Sequence, residues 1–338
     1  MKLDFDTIKS ITLGIDRITK EKNGYCFHRF TEHEEKIYKE RSESSYVRTF
    51  VPSGVKISFK TNSENLFIKG VASDIGSRSF FAFELFVNDE KIDQICNYTY
   101  NELAINYSEH KYPLGEFNKQ ISLGVGEKSV NIYFPYTVKI LIEEISIDDS
   151  ATVEPIKPKH KLLAFGDSIT HGFDALRPTS KYITRFANHL DAEEINKAIG
   201  GETYWPELVK EKIDLRPDFI TVAYGTNDWD HFTETEFKKN VKEFFTNLKN
   251  NYKDTPIIAI TPIWRKDIDK KTAFGDFRRI DKIIREVTSE FEGVTIITGL
   301  DLVEHDKNLF GDLWLHPNDQ GFEQYYENLT KNFSNNHK

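Results

Sequence analysis

Two rhythms of apolar and polar residues divide the chain. Up to about residue 150, apolar side chains tend to alternate with polar ones. VKISFKT (55–61) sets Val, Ile and Phe against Lys, Ser and Lys, the period of a strand with one buried face. FFAFELFVNDEKI (80–92) reads as a strand, a turn at Asn88-Asp89 and a return. SVNIYFPY (129–136) and TVKILIEEISI (137–147) continue the pattern. Many short strands separated by turn signals predict an all-β sandwich of jelly-roll type over residues 1–150. DDSATVEPIKPKHK (148–161) has two prolines and no period, and predicts a linker centred on 151–159.

From residue 160 strands alternate with helices. LLAFGDS, EEINKAI, DFITVAYG, TPIIAITPI and GVTIITGL have the short apolar runs of buried strands. Helical spacing falls in SKYITRFANHL, ETYWPELVKEKI, TETEFKKNVKEFFTNLKNNY, DFRRIDKIIREVTSEF and DQGFEQYYENLTKNF. Such alternation predicts an α/β domain over 160–338, its parallel sheet covered on both faces. In sheets of this kind ligands gather outside the carboxyl ends of the strands.

Composition narrows the field. A chain of 338 residues, 38% hydrophobic and 13% aromatic, can bury two cores. The net charge of −9, with both signs scattered, argues against nucleic acid as the main partner. No apolar run approaches the roughly 18 residues of a membrane span. The opening MKLDFDTIKSITLGIDRITK has no hydrophobic signal core, so a cytoplasmic protein is expected. Two cysteines, Cys26 and Cys96, are too few for a disulfide framework or a structural zinc site, and free thiols are expected.

The polar residues then converge. Strand ends carry Gly166-Asp167-Ser168-Ile169-Thr170, Asn196-Lys197-Ala198-Ile199-Gly200-Gly201, Gly225-Thr226-Asn227-Asp228 and Thr261-Pro262-Ile263-Trp264-Arg265, and GDLWLHPND (311–319) precedes the last helix. Trp205, Trp229, Trp264 and Trp314 all lie near these turns, and the β-rich half has none. Together with Asp167 they are expected to line a substrate pocket. Acyl transfer suits such a rim. Ser168 would be the nucleophile and His316 its general base. Gly201, without a Cβ, would let a backbone N–H approach the oxyanion, and Asn227 would offer a side-chain N–H.

GDSIT, NKAIGG, GTND and HPND, in that order, resemble the four blocks of the SGNH (GDSL-type) esterase and lipase superfamily over about residues 160–330. The resemblance implies a flavodoxin-like three-layer α/β/α domain and a Ser-His-Asp triad needing neither metal nor cofactor. It also implies an oxyanion hole from Ser168 N–H, Gly201 N–H and the Asn227 amide. The β-rich half is similar to the domain preceding some carbohydrate-esterase-like members. The family usually writes its last block DxxH, whereas here Asp312 lies four residues before His316. A helical turn would let Asp312 reach the ring. An irregular segment would leave a backbone carbonyl to orient it, as in dyad-type members, with Glu304 and Asp306 as further acids. In the triad reading, Asp312→Ala should lower kcat far more than stability.

Other clusters carry less. GVGEKS (124–129) lacks the Gly-Lys-Ser/Thr of a phosphate loop and predicts a hairpin turn. Asp228-Trp229-Asp230-His231 and Glu32-His33-Glu34 lack metal-ligand spacing and predict solvated turns, with Asp228 bracing the loop of Asn227. His171 fits either a pocket or an exposed turn; Arg265 at a strand end fits a hold on an anionic substrate group or, in preference, a salt bridge to a nearby acid. The function expected is a serine esterase removing short acyl groups from a carbohydrate or related small molecule. A lipase for longer chains and a non-catalytic carbohydrate-binding protein are the alternatives.

Overall fold

The computed structural model describes residues 1–336. The chain divides into two compact units, one comprising Met1–Lys159 with Leu176–Thr179 and Glu193–Ile195, the other the rest of the chain from His160.

The first unit is a sandwich of two antiparallel sheets. One sheet runs in the order Thr12–Leu13, Lys56–Thr61, Lys128–Tyr133, Ala82–Val87, Glu90–Cys96. The other runs Arg17–Glu21, Gly24–His28, Lys139–Ile147, Asn65–Ser73, Gly115–Ser122. Alternation in the sequence becomes alternation in burial: Ile57, Phe59, Val130 and Ile132 face the same core as Ile68, Phe83, Ile140 and Ile142. Asn88 and Asp89 both take positive φ, 48° and 65°, as a two-residue hairpin turn requires. Cys26 and Cys96 are free thiols.

Four expectations are corrected here. GVGEKS is not a hairpin turn, because the strands on either side of it lie in different sheets. Glu154 and Pro155, inside the predicted linker, pair antiparallel with Lys60 and Phe59, an edge position that tolerates proline. Helices also occur among the strands, at Phe5–Ile11, Glu32–Arg41 and Glu43–Thr49. Glu34 is no solvated turn acid: it is buried and closes a capping box with Thr31.

From His160 onward the chain builds a five-stranded sheet. Its strands are β1 (His160–Gly166), β2 (Ala192–Asn196), β3 (Phe219–Ala223), β4 (Ile257–Ile260) and β5 (Val294–Ile297), in the order β2-β1-β3-β4-β5. The pairs β1–β3, β3–β4 and β4–β5 are parallel. The helices are α1 (Ser168–His171), α2 (Tyr182–His189), α3 (Asp228–His231), α4 (Glu234–Asn251), α5 (Arg279–Thr288) and α6 (Asp319–Asn336). Helix α2 packs with α6 and α4 with α5, giving the three layers. Phe165 of β1 meets Phe244 of α4, and Phe219 of β3 meets Phe333 of α6. The strand order reverses between β1 and β3, so a ligand crevice is expected where those two strands end.

The helix predicted in ETYWPELVKEKI does not form. Only the short turn Pro206–Val209 is helical, held to α4 by Asn247 and Asn251. The preceding backbone is committed elsewhere: the Glu202 carbonyl accepts from Asn227, and the Tyr204 N–H donates to Asp228. No helix among the described residues is long and apolar enough to cross a membrane.

Candidate active site

Strand β1 delivers Ser168 to the crevice. Asp167, in extended backbone, accepts the Ile169 N–H at 2.9 Å and caps α1. Asn196, at the end of β2, ties this turn to the next block. Its amide donates to the Thr170 carbonyl and its oxygen accepts from Ala198 N–H. Asp167 is thus the buried cap of α1. Burial raises its carboxyl to about 7 against the opposing Ile169 hydrogen bond and the charge of His316.

The acid–histidine segment is irregular, closed at its base by a bridge between Phe310 and Pro317 and by the Gly311 N–H donating to the His316 carbonyl. The extra residue is absorbed at Leu313, where φ is 57°. That left-handed conformation costs a residue with a Cβ about 1–2 kcal/mol. Asp312 repays it, for one oxygen accepts the N–H groups of Trp314, Leu315 and His316 at 2.9, 2.8 and 3.1 Å. The other oxygen lies 2.6 Å from His316 Nδ1. Asp312 thus reaches the ring without a helical turn, and the choice posed by the sequence was too narrow. Burial pushes the Asp312 carboxyl up. The His316 hydrogen bond and charge, with the N–H donors of Leu315 and His316, outweigh burial and hold it well below the usual carboxylate range.

With Nδ1–H directed at Asp312, Nε2 is left as an acceptor, and it lies 2.8 Å from Ser168 Oγ. Ser168 and His316 are both buried. Neither ring nitrogen is left to bind an ion. Of the further acids, the Asp306 carboxylate caps the turn at Asn308, and Glu304 is exposed.

Gly201 has φ 87°, and a Cβ placed there would meet no atom within 4 Å. The backbone conformation by itself favours glycine there. Asn227 donates one amide N–H to the Glu202 carbonyl at 2.8 Å, leaving the second for a ligand. Asp228 beside it is fully buried. One of its oxygens accepts Tyr204 N–H at 3.1 Å, and the other has no partner. Burial, with Asp167 and Glu202 nearby, raises it to about 8, so it stands as a neutral acid at neutral pH. It is a buried brace and not part of a solvated turn.

The four tryptophans do not form one wall. Trp229 is 0% exposed, packed on Phe277 with its indole N–H on the Gly275 carbonyl, so it is core. Trp264 stacks on His305 and touches Phe310. Trp205 is half-buried, and Trp314 is 40% exposed. His171 is buried against Phe173 and is not an exposed turn residue. Arg265 does form its expected salt bridge, with Asp267 and Asp230.

Sequence reasoning missed Asp174. It is fully buried at φ 71°, and its carboxylate lies within 4.8 Å of ligand atoms of Asp312 and His316. HGFDA carries no spacing that marks it; only the fold brings it there.

A 2-1-3-4-5 parallel sheet, with serine, imidazole and carboxylate in one hydrogen-bonded line at its switch point, defines the class of SGNH-type hydrolase domains. Residues 164–324 match the model of the GDSL-like Lipase/Acylhydrolase family, and this segment is a domain of that family. No curated protein sequence matches significantly. Solved structures match the chain almost end to end. The salicylyl-acyltransferase SsfX3 of a tetracycline biosynthetic pathway has a TM-score of 0.79 and 16% identity, over 96% of this chain and 94% of that one. A family two carbohydrate esterase from Clostridium thermocellum, solved with cellohexaose, has a TM-score of 0.65 and 15% identity, over 96% and 98%. An acetyl xylan esterase from Butyrivibrio proteoclasticus has 0.57 and 16%, over 84% and 90%. At these identities the likeness is one of fold: a β domain followed by an SGNH domain.

Proposed function

We propose that the protein is a metal-independent serine esterase that removes short acyl groups, acetyl first among them, from a carbohydrate or related small molecule. The unbroken line Ser168 Oγ–His316 Nε2 at 2.8 Å and His316 Nδ1–Asp312 at 2.6 Å carries this reading. Ser168 Oγ attacks the ester carbonyl as its proton passes to His316. Asp312 holds the ring in the tautomer that accepts that proton and stabilises the imidazolium. The N–H groups of Ser168 and Gly201 and the free Asn227 N–H receive the oxyanion. His316 returns the proton to the leaving alcohol, and water releases the acyl group by the same steps in reverse order.

The similarity in architecture to a carbohydrate esterase and an acetyl xylan esterase supports the substrate class. The higher TM-score to an acyltransferase supports a second reading, in which an alcohol or amine other than water takes the acyl group.

The test is hydrolysis of nitrophenyl esters of increasing acyl length by wild type and Ser168→Ala, with and without added sugar alcohols as acceptors. Activity confined to wild type and falling beyond propionyl is expected. Undiminished turnover by Ser168→Ala would sink the mechanism. Undiminished turnover of long acyl chains would favour a lipase, and accumulation of acylated acceptor would favour transfer.

A further inference from the structure

Arg265 is 2% exposed, a buried cation with no part in the chemistry above. It lies beyond the end of β4, and its guanidinium has four committed hydrogen bonds. Nε and Nη2 donate to the two oxygens of Asp267 at 2.6 and 3.1 Å, and Nη2 also donates to Asp230 at 3.2 Å. Nη1 donates to the Thr226 carbonyl at 2.9 Å. The guanidinium also lies over two indole rings, 4.9 Å from the centroid of Trp229 and 5.1 Å from that of Trp314.

Two of these contacts lead into the site from opposite sides. Thr226 immediately precedes Asn227, so the Nη1 bond fixes the peptide that aims the oxyanion-binding amide. Trp314 lies midway between Asp312 and His316. Its ring rests on Arg265, its carbonyl accepts the N–H of Lys266 at 2.9 Å, and its own N–H donates to Asp312. Ring, carbonyl and N–H of one residue thus join the acid–histidine segment to the Arg265 turn. This anchor also accounts for Leu313. A bulky residue stays in left-handed backbone only where its surroundings over-determine it, and the anchored Trp314 supplies that constraint.

We propose that Arg265 is a positioning residue that locks the Asn227 turn and the Asp312–His316 segment to one another, through the Thr226 carbonyl and the Trp314 ring. The proposal rests on the serine-esterase reading for its effect on rate. Lysine cannot replace it, because an ammonium lacks both the planar fork that meets Asp267 and Thr226 together and the flat guanidinium that lies over two indoles.

Arg265→Lys and Trp314→Ala test the two arms. Trp314 is substantially exposed, so its variant folds even if the first does not. For each, kcat and KM on a nitrophenyl acetate, the melting temperature and the far-downfield proton resonance of His316 Nδ1–H are measured. Displacement of a reacting group by an ångström costs on the order of 10²-fold in rate. The expectation is a fall of that order in kcat with KM nearly constant, and a broadened or lost resonance. Folded variants with wild-type kcat and resonance would overturn the proposal. So would a rise in KM alone, which would make Trp314 a substrate platform. If the wild type turns over no ester, the esterase reading fails instead, and the resonance decides by itself: retained in both variants it refutes the positioning role, and lost it supports it.

Discussion

Asp312→Asn separates what this carboxylate does for His316 from what it does for its own loop. One oxygen accepts three backbone N–H groups at 2.8–3.1 Å, and the other faces Nδ1 at 2.6 Å. An amide in the same position keeps the first oxygen, so the three loop bonds survive. It replaces the second oxygen with an NH₂, and two donors then face each other. The ring must move its proton to Nε2, where it can no longer accept from Ser168. A histidine held in the wrong tautomer costs serine hydrolases about 10⁴ in kcat, or ~5.5 kcal/mol.

Asp312→Ala removes both functions. Three N–H groups lose their acceptor at about 0.5–1.5 kcal/mol each, so roughly 1.5–4.5 kcal/mol of stability goes with the activity. The sequence alone had suggested a variant damaged in rate and spared in stability, and the capping role of Asp312 moves that description to asparagine. Initial rates on a short-chain nitrophenyl ester, with thermal melts of all three proteins, give the comparison. Asp312→Asn with kcat within about tenfold of wild type and an unchanged melting temperature would refute the reasoning. The neighbouring Asp174 or a carbonyl would then be what orients the ring.

Two further substitutions probe the other blocks. Gly201→Ala should cost about 1–2 kcal/mol of stability through its φ of 87° alone, since the new methyl meets nothing. By displacing an oxyanion donor it should also lower kcat toward the 10²-fold range, and unchanged kcat would remove Gly201 from the hole. For Asp228, raised to about 8 by burial, the folded state holds a proton that the unfolded chain releases near pH 4. Its contribution is fully present below about pH 4 and is lost as pH rises toward 8. Asp228→Asn should flatten the denaturation-derived stability profile between those limits; a wild-type profile already flat there would contradict the buried-acid assignment.

The sheet and the four blocks were legible because each rests on a local rule. Period 2 marked Lys56–Thr61 and Lys139–Ile147, and the 3.6 period marked Glu234–Asn251. What stayed hidden depends on non-local bonds. The stretch 202–213 has helical spacing, yet its first residues bond to Asn227 and Asp228 instead of to one another. GVGEKS has the look of a tight turn, and nothing local says that its two strands belong to different sheets. The tryptophans were grouped because they sit close to strand ends in the sequence, but distance along a loop does not say which way an indole points. Trp229 turned inward and Trp314 outward.

The spacing of Asp312 and His316 shows why a motif underdetermines a site. A DxxH count asks only how many residues lie between acid and base, and one extra residue casts doubt on the pair. The fold poses a different question, namely what fixes each end of the segment. Here the ends are fixed by the Phe310–Pro317 bridge, and the middle by Trp314. Between those anchors a single left-handed residue takes up the surplus length, and the carboxylate satisfies the amides that this turn exposes. The acid therefore supports its own loop and the imidazole at once. A substitution that leaves the loop's hydrogen bonds in place is the one able to reveal what it contributes to the reaction.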